Sequence, residues 1–337
     1  MKKTLKYIKY LFCALIGIAL LSYVFKAQSV ANIFRLIVTS NIYLLIISTI
    51  VFFIAHIFRA SRWQILIETF DIKPSKSMLY NAIMSSLLVN IFIIRFGEIY
   101  RCYLINKTDQ LPVSTLIGTV VTERIIDLLS LLVIILTVVL TNYQLSANYF
   151  NEHILQKISY NQILVIGYGL TSILLISVLI IFLLYKYKRE NYIAIKVKNF
   201  LKGLYKGVLS ITKIKQKLAF FINTVLIWFC YWLFTYIITL AFPATNNLSP
   251  ITSILILALS GISMALPIQS GIGAFHILIS NALLLYAIPS DQSLAYATLA
   301  HGLPLAAVLI LGSISFLSIY LNLKKKKKYV QIGYDTK

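Results

Sequence analysis

The sequence predicts an all-α polytopic membrane protein with about six full spans and two hairpins, each a re-entrant loop or a pair of short helices, arranged as an inverted repeat. Three observations predict this class. Of the 337 residues, 59% are hydrophobic and 12% are charged, against about 45–50% and about 25% in an ordinary soluble domain. Apolar runs long enough to cross a bilayer recur along the chain. Lysine and arginine collect between these runs.

Six apolar runs approach or exceed the roughly 20 residues that a spanning helix needs. The first follows a basic start, MKKTLKYIKY, and no small-residue cleavage pattern comes after it. We interpret this run as a retained helix, with a cleaved signal peptide as the alternative. The six predicted spans lie near residues 8–25, 41–58, 113–141, 160–185, 218–242 and 294–322.

The net charge of +21 indicates membrane topology rather than nucleic-acid binding, because the basic residues are confined to a few segments. They lie mainly at 2–9, 59–76, 186–217 and 324–328. Since lysine and arginine concentrate in cytoplasmic loops, all four segments are predicted to face the cytoplasm. We therefore expect a bacterial-type cytoplasmic (inner) membrane, both termini on its cytoplasmic side, and no nucleic-acid partner.

Two shorter apolar segments must return to the side from which they enter. Residues 78–112 have to begin and end on the cytoplasmic side, and residues 251–293 have to begin and end outside, so each is predicted to be a hairpin. The first half, 41–141, and the second half, 218–322, then share one plan in opposite orientations. Inverted repeats with broken helices at mid-membrane are typical of secondary transporters.

The longest predicted cytoplasmic loop is basic. Residues 186–217 hold ten lysines and arginines against Glu190 alone, and apolar residues are interleaved with the lysines. This pattern predicts an amphipathic helix that lies on the membrane surface and is attracted to anionic lipid. The tail at 323–337 contains a run of five lysines and is interpreted as a topology anchor.

The first hairpin carries charge within an apolar setting. The stretch NIFIIRFGEIYRCYLI, residues 90–105, places Arg95, Glu98 and Arg101 within two helical turns, with Gly97 between them. The glycine favours the non-helical backbone that a hairpin tip requires, so the tip is predicted near RFGE. The structural alternative is a kink in a buried helix, since glycine is common in membrane helices.

The span at 113–141 contains a polar stripe within TVVTERIIDLL. Thr119, Glu123 and Asp127 recur every four residues, so they lie on one face of a helix, with Arg124 beside them. An ionisable residue at the centre of a span costs at least ~2.5–3.5 kcal/mol, so these side chains must be paired or face water. This helix is therefore predicted to line a polar chamber between the two hairpins.

Six charged residues of the hairpin and the helix sum to zero, and two interpretations of them stay open. In the first, arginines receive the phosphate of a lipid headgroup, since a guanidinium can bond two oxygens at once. In the second, all six form internal ion pairs that join the hairpin to the helix. The six residues are Arg95, Glu98, Arg101, Glu123, Arg124 and Asp127.

The second hairpin is predicted to turn within LPIQSGIGAFH, whose glycines favour tight backbone geometry. Two histidines on this side could relay protons, because histidine titrates near neutral pH, but a lone membrane histidine is at least as often a packing residue. We find no metal-ligand spacing and no cofactor motif. The residues that this side adds to the predicted translocation path are Ser270, Gly271, Gly273, His276 and His301.

Four stretches resemble the transmembrane region of lysylphosphatidylglycerol synthases and the stand-alone flippase-like proteins that share it: FGEIYRCYLI, TVVTERIIDLL, LPIQSGIGAFH and ATLAHGLPLAAVLILG. The resemblance covers nearly the whole chain. It implies a region that moves an aminoacylated lipid across the membrane, while a separate cytoplasmic domain makes that lipid. We expect that domain to be absent here, and therefore expect no enzymatic activity.

Two departures from the family pattern affect the predicted chamber. The family usually has a Pro-Gly pair where this chain has Ile93-Ile94-Arg95-Phe96, and it usually has a glutamate at the position of His276. Replacing an acid with histidine changes the charge of the chamber. The substrate is therefore expected to differ from that of the aminoacyl-lipid flippases.

The leading prediction is a lipid translocator that moves a phospholipid or a lipid-linked headgroup between leaflets. Its partners are then membrane lipids with a phosphate-bearing headgroup. The alternative is a non-catalytic membrane subunit that supports a separate lipid-modifying enzyme or glycosyltransferase. Both functions are compatible with a homodimer.

Overall fold

The computed structural model describes residues 29–93, 95–141, 192–266 and 268–335. In these ranges the chain forms ten α-helices and two short 3₁₀ turns, with no β-strand. The helices are α1 (Val30–Val38), α2 (Ile42–Glu68), α3 (Lys76–Phe92), α4 (Phe96–Asp109), α5 (Val113–Thr141), α6 (Tyr192–Val208), α7 (Lys217–Ala241), α8 (Pro250–Ala265), α9 (Ala274–Leu284) and α10 (Ser290–Asp335).

Four of these helices are long and apolar enough to cross a membrane. They are α2, α5, α7 and residues 290–324 of α10. Large apolar side chains on α5, including Leu132, Val133 and Leu136, are exposed on the protein surface, as a lipid-facing helix requires. The predicted all-α polytopic membrane class is confirmed. The spans predicted near 8–25 and 160–185 lie outside the described residues.

Helix α2 is longer than predicted, and this changes the role of two arginines. The predicted span ended at residue 58, but the helix continues to Glu68. Arg59 and Arg62 lie within this helix and are buried inside the protein, so ending the span at residue 58 was wrong. The cytoplasmic orientation of this end of α2 stays a prediction. The helix continues past them because the sequence WQILI remains apolar, and because acidic residues of α5 neutralise both guanidinium groups.

The predicted first hairpin corresponds to α3 and α4, which pack against each other on either side of a break near RFGE. Arg95 takes a left-handed backbone conformation (φ 59°) directly before α4. A Cβ on Gly97 would lie 1.9 Å from the carbonyl oxygen of Ser86, so only glycine allows this close approach. The Gly97 amide also donates to Asn90 Oδ1 at 2.7 Å. The hairpin's entry from the cytoplasmic side stays a prediction.

The predicted second hairpin corresponds to α8 and α9, with a 3₁₀ turn at Gln269–Gly271 between them. The backbone is left-handed at Ser270 (φ 50°), Gly271 (φ 68°) and Gly273 (φ 85°). Glycine adopts such angles without the steric penalty of a Cβ. The three sequence-predicted residues of this turn are therefore the residues that break the helix.

Each half follows the same order of elements: a long helix, two shorter helices around a break, and a long helix. The halves pack together through α2 against α7 and α3 against α10. One buried apolar cluster surrounds Trp63, and a second surrounds Phe275 and Tyr296. The inverted orientation of the two halves stays a prediction.

The basic segment contains a helix, as predicted, and this helix packs directly on α5. A Cβ on Gly207 of α6 would lie 2.1 Å from the carbonyl oxygen of Thr115 and 2.6 Å from the Cα of Gly118. Thr122 on α5 donates its hydroxyl to the carbonyl of Val208 at 3.2 Å. The predicted contact of this helix with the membrane surface stays a prediction. In the predicted tail, α10 continues to Asp335.

Candidate functional site

A network of buried ion pairs joins α2, α4 and α5. On α2, Arg59 Nη2 donates to Asp127 Oδ2 at 2.9 Å, and Arg62 Nη2 donates to Asp127 Oδ1 at 2.7 Å. On α4, Arg101 Nη2 donates to Glu123 Oε2 at 2.6 Å. Arg62 Nη2 also lies 3.6 Å from Glu123 Oε1. Each carboxylate of α5 therefore neutralises guanidinium groups from more than one direction.

Arg124 lies at the edge of this network, where it is accessible. Its Nε lies 2.8 Å from Glu98 Oε1, and its Nη1 lies 3.6 Å from Asp127 Oδ2. Its side chain is 40% exposed, whereas the side chains of Arg62 and Glu123 are 0% exposed. A ligand can therefore reach Arg124 without displacing the buried pairs.

Aromatic and hydroxyl groups support the buried arginines. The guanidinium carbon of Arg101 lies 4.3 Å above the centre of the Trp63 ring, a geometry that attracts a cation to the ring face. Trp63 Nε1 donates to Thr119 Oγ1 at 2.9 Å. Arg59 Nη1 donates to the hydroxyl of Tyr231 at 3.3 Å. Thr119 thus holds Trp63 in place and is fully buried, so it does not line an accessible path.

Arg95 is separate from the acidic residues and joins the two helix breaks. Its Nη2 donates to the carbonyl oxygens of Met264 (3.3 Å) and Ala265 (3.0 Å). These carbonyls belong to the last turn of α8, where orphan acceptors and the helix dipole favour a cation. The break in the first half therefore contacts the break in the second half through one arginine.

A groove of about 380 Å³ opens between α4 and α5. Three charged side chains line it, Arg95, Glu98 and Arg124, and the rest of its lining is apolar. Such a combination of polar and apolar walls suits a molecule with a charged head and a hydrocarbon chain. The apolar lining residues are Ile99, Ile117, Val120, Val121, Ile125 and Leu128.

The two histidines of the second half lie together. The ring centres of His276 and His301 are 5.2 Å apart, and His301 stacks on Phe275 at 5.0 Å. His301 Nε2 lies 2.9 Å from the carbonyl oxygen of Ser270. His301 thus holds the 3₁₀ turn against α10. A proton-relay role for the pair stays a prediction.

The sequence-predicted residues fall into four groups, apart from Thr119, which binds Trp63. Glu98, Arg101, Glu123, Arg124 and Asp127 form one network, Arg95 bridges the breaks, and the histidines form a separate cluster. Gly97, Gly271 and Gly273 shape the breaks, as does Ser270. Both interpretations of the charges keep support. The buried pair of Arg101 and Glu123 fits internal ion pairing, while Arg95 and Arg124 are accessible and could bind a phosphate.

Sequence reasoning missed four residues of the site: Arg59, Arg62, Trp63 and Tyr231. One signal for the arginines was present. Arg59 and Arg62 are three residues apart and precede the apolar run WQILI, so they lie within a hydrophobic helix and on one face of it. Nothing comparable in the sequence marks Tyr231 as the partner of Arg59.

A family model described as the lysylphosphatidylglycerol synthase TM region matches residues 10–312. This match includes every residue of the ion-pair network and of the groove. No match was found among curated proteins or among solved structures.

Proposed function

The chain belongs to the family of the lysylphosphatidylglycerol synthase TM region, as its motifs predict, and we propose that it moves a phosphate-bearing lipid between the leaflets of its membrane. The family suggests a multi-pass membrane protein of lipid metabolism or translocation. The observation that carries the finer proposal is the groove between α4 and α5, which combines two accessible arginines with apolar walls.

The physical problem in lipid translocation is the headgroup. A charged group loses its hydration in the hydrocarbon and needs replacement partners there. Arg95 and Arg124 offer guanidinium donors, which bind phosphate oxygens well. The apolar lining leaves a surface along which acyl chains can stay in contact with hydrocarbon. The groove would thus lower the barrier for the headgroup.

The buried ion pairs would keep α5 in register with its neighbours while a lipid passes. Arg59, Arg62 and Arg101 cannot be reached without opening the protein, so we assign them a positioning role. Arg95 would connect lipid binding to the relative position of the two breaks, because it both lines the groove and binds the end of α8. The proposal includes no group transfer by this chain.

The proposal also includes a membrane location, an orientation of the termini and a way for the groove to open to either side. We place the protein in a bacterial-type cytoplasmic membrane with both termini in the cytoplasm, on the distribution of lysine and arginine. The two halves, with one order of elements, would exchange conformations so that the groove opens to either side in turn. Movement would be driven by the lipid gradient or by a coupled ion.

The test is transbilayer movement of fluorescent phospholipids and polyprenyl phosphates in liposomes that contain the purified protein. The native protein should equilibrate at least one lipid class between leaflets. Arg124→Gln should slow that movement about tenfold, because hydrogen bonds to charged groups contribute about 1.5–3 kcal/mol. Arg35→Gln is the matched control, since it removes the same charge from an exposed position on α1, outside the groove.

A second function is favoured by α6, which displays lysines and packs on the first turns of α5. The chain could dock a separate lipid-modifying enzyme or glycosyltransferase there without moving lipid itself. If no lipid moves in the liposomes although the protein is folded, this alternative is favoured. Substitutions on the exposed face of α6 should then reduce function more than substitutions in the groove.

A further inference from the structure

We propose that the lipid accepted by the groove is a phosphate monoester carrying two negative charges, rather than a phosphodiester or a cationic aminoacylated lipid. This inference rests on the proposed function, because it names the headgroup class for the same groove. It also predicts that the lipid substrate of this chain differs from lysylphosphatidylglycerol, the lipid in the description of its family.

The first argument is the charge of the assembled site. Among the described residues, the network and the groove bring together five guanidinium groups and three carboxylates, which leaves a net charge of +2. The sum of zero expected from sequence omitted two buried arginines of α2. The eight residues are Arg59, Arg62, Arg95, Arg101, Arg124, Glu98, Glu123 and Asp127.

The second argument is the depth of this charge. Glu123 lies ten residues into α5, which is about 15 Å along the helix axis. If α5, with 29 residues and about 43 Å in length, is centred on a bilayer whose hydrocarbon is about 30 Å thick, Glu123 lies about 8 Å inside the hydrocarbon. An uncompensated charge is costly at such a depth. A dianionic headgroup neutralises the surplus, a monoanionic diester halves it, and a cationic lipid increases it.

The third argument is which groups a ligand can reach. Arg95 uses Nη2 for the carbonyls of α8, and a guanidinium has further donors on Nε and Nη1. Arg124 is partly exposed on the same groove. Glu98 is the one carboxylate among the described lining residues, and it already pairs with Arg124. An ammonium group would therefore meet two arginines and no unpaired acid.

The test is a binding measurement on the full-length protein in detergent, which does not depend on transport. Two short-chain lipids differ by a single charge: dioctanoyl phosphatidic acid and its methyl ester, dioctanoyl phosphatidylmethanol. Phosphatidic acid should bind at least about tenfold more tightly than the methyl ester, since close charge pairs contribute about 1.5 kcal/mol or more. Lysylphosphatidylglycerol should bind more weakly than both. Inorganic phosphate should bind much more weakly, because it lacks the acyl chains.

Variants show whether this preference comes from the groove. Arg124→Gln should reduce the preference for phosphatidic acid over the methyl ester to less than about threefold, whereas Arg124→Lys should keep most of it because the charge remains. Arg35→Gln should leave it unchanged. Melting temperatures of the variants show that each is folded.

The inference is overturned if the methyl ester or the aminoacylated lipid binds as tightly as phosphatidic acid, if inorganic phosphate matches the lipid, or if none of the four binds. These outcomes are separate from failure of the proposed function. Translocation with a preference for diesters would leave a translocator with a different substrate. Tight binding of phosphatidic acid without movement of any lipid would leave a monoester site on a protein that does not translocate.

Discussion

Glu123 is the residue on which the buried charge depends most. It accepts a hydrogen bond from Arg101 and lies close to Arg62, and all three side chains are almost fully buried. A buried charge that loses its partner is strongly destabilising, because neither water nor another charge replaces the interaction. Glu123 therefore secures the contact between α4 and α5, whatever else the site does.

Glu123→Gln should lower the free energy of unfolding by about 3–5 kcal/mol, because it leaves two buried guanidinium groups without this counter-charge. Glu98→Gln is the matched control, since its pair with Arg124 is partly exposed and such pairs contribute about 0–1 kcal/mol. Thermal melting of the purified variants in detergent measures the difference. Equal melting temperatures for the two variants would show that the network is not what stabilises the fold.

At the residue scale, the sequence predicted the acidic half of the site better than its basic half. Glu123 and Asp127 stand in the middle of an apolar run, where a charge is conspicuous. Arg59 and Arg62 stand near the end of one, where loop lysines and arginines also occur. Distinguishing the two cases requires the partner side chains on α5, which no local pattern supplies.

At the scale of elements, the break between α3 and α4 depends on a close contact of two backbones. Gly97 lies against the carbonyl of Ser86 and donates to Asn90. This contact fixes the start of α4, where Glu98 follows the glycine directly and Arg101 lies one turn further along. Both side chains pair with residues of α5. The glycine therefore positions the charged side chains without contacting a ligand itself.

Gly97→Ala should destabilise the protein by about 1–3 kcal/mol, because the added methyl group overlaps the Ser86 carbonyl and pushes α3 and α4 apart. Gly302→Ala on α10 is the control, since a Cβ there meets nothing within 4 Å. That change should stabilise by about 0.5–1 kcal/mol, as alanine favours a helix interior. Melting curves in detergent should show a lower melting temperature for Gly97→Ala and a higher one for Gly302→Ala. Stabilisation by Gly97→Ala would contradict the observed contact.

The positions of both breaks could be predicted from sequence to within a few residues. The predicted tips lie at RFGE and within 266–276, and the helices are interrupted at 93–95 and 266–273. Segment length, glycine content and loop charge are sufficient for this, because each acts locally. The same local signals could not show that α6 packs on α5, since that contact joins glycines far apart in the sequence.

At the scale of the whole molecule, the two halves meet where their helices are broken. Arg95 bonds to carbonyls 169 and 170 positions away, a contact that a single sequence cannot reveal. The groove begins at this junction and runs along α4 and α5. The residues that line the groove all belong to the first half, so a lipid there would contact the first half directly and would act on the second half through Arg95, which binds the end of α8.

The central claim is that lipid passes along this groove, and the most direct measurement is lipid movement after the groove is filled. Val121 lines the groove, whereas Val133 is exposed on the same helix outside it. In liposomes with the purified, folded variants, Val121→Trp should reduce the rate of lipid equilibration at least about tenfold, equivalent to about 1.4 kcal/mol in the barrier. Val133→Trp should leave the rate within about twofold of the native protein's. Equal rates for the two variants would contradict a path along the groove.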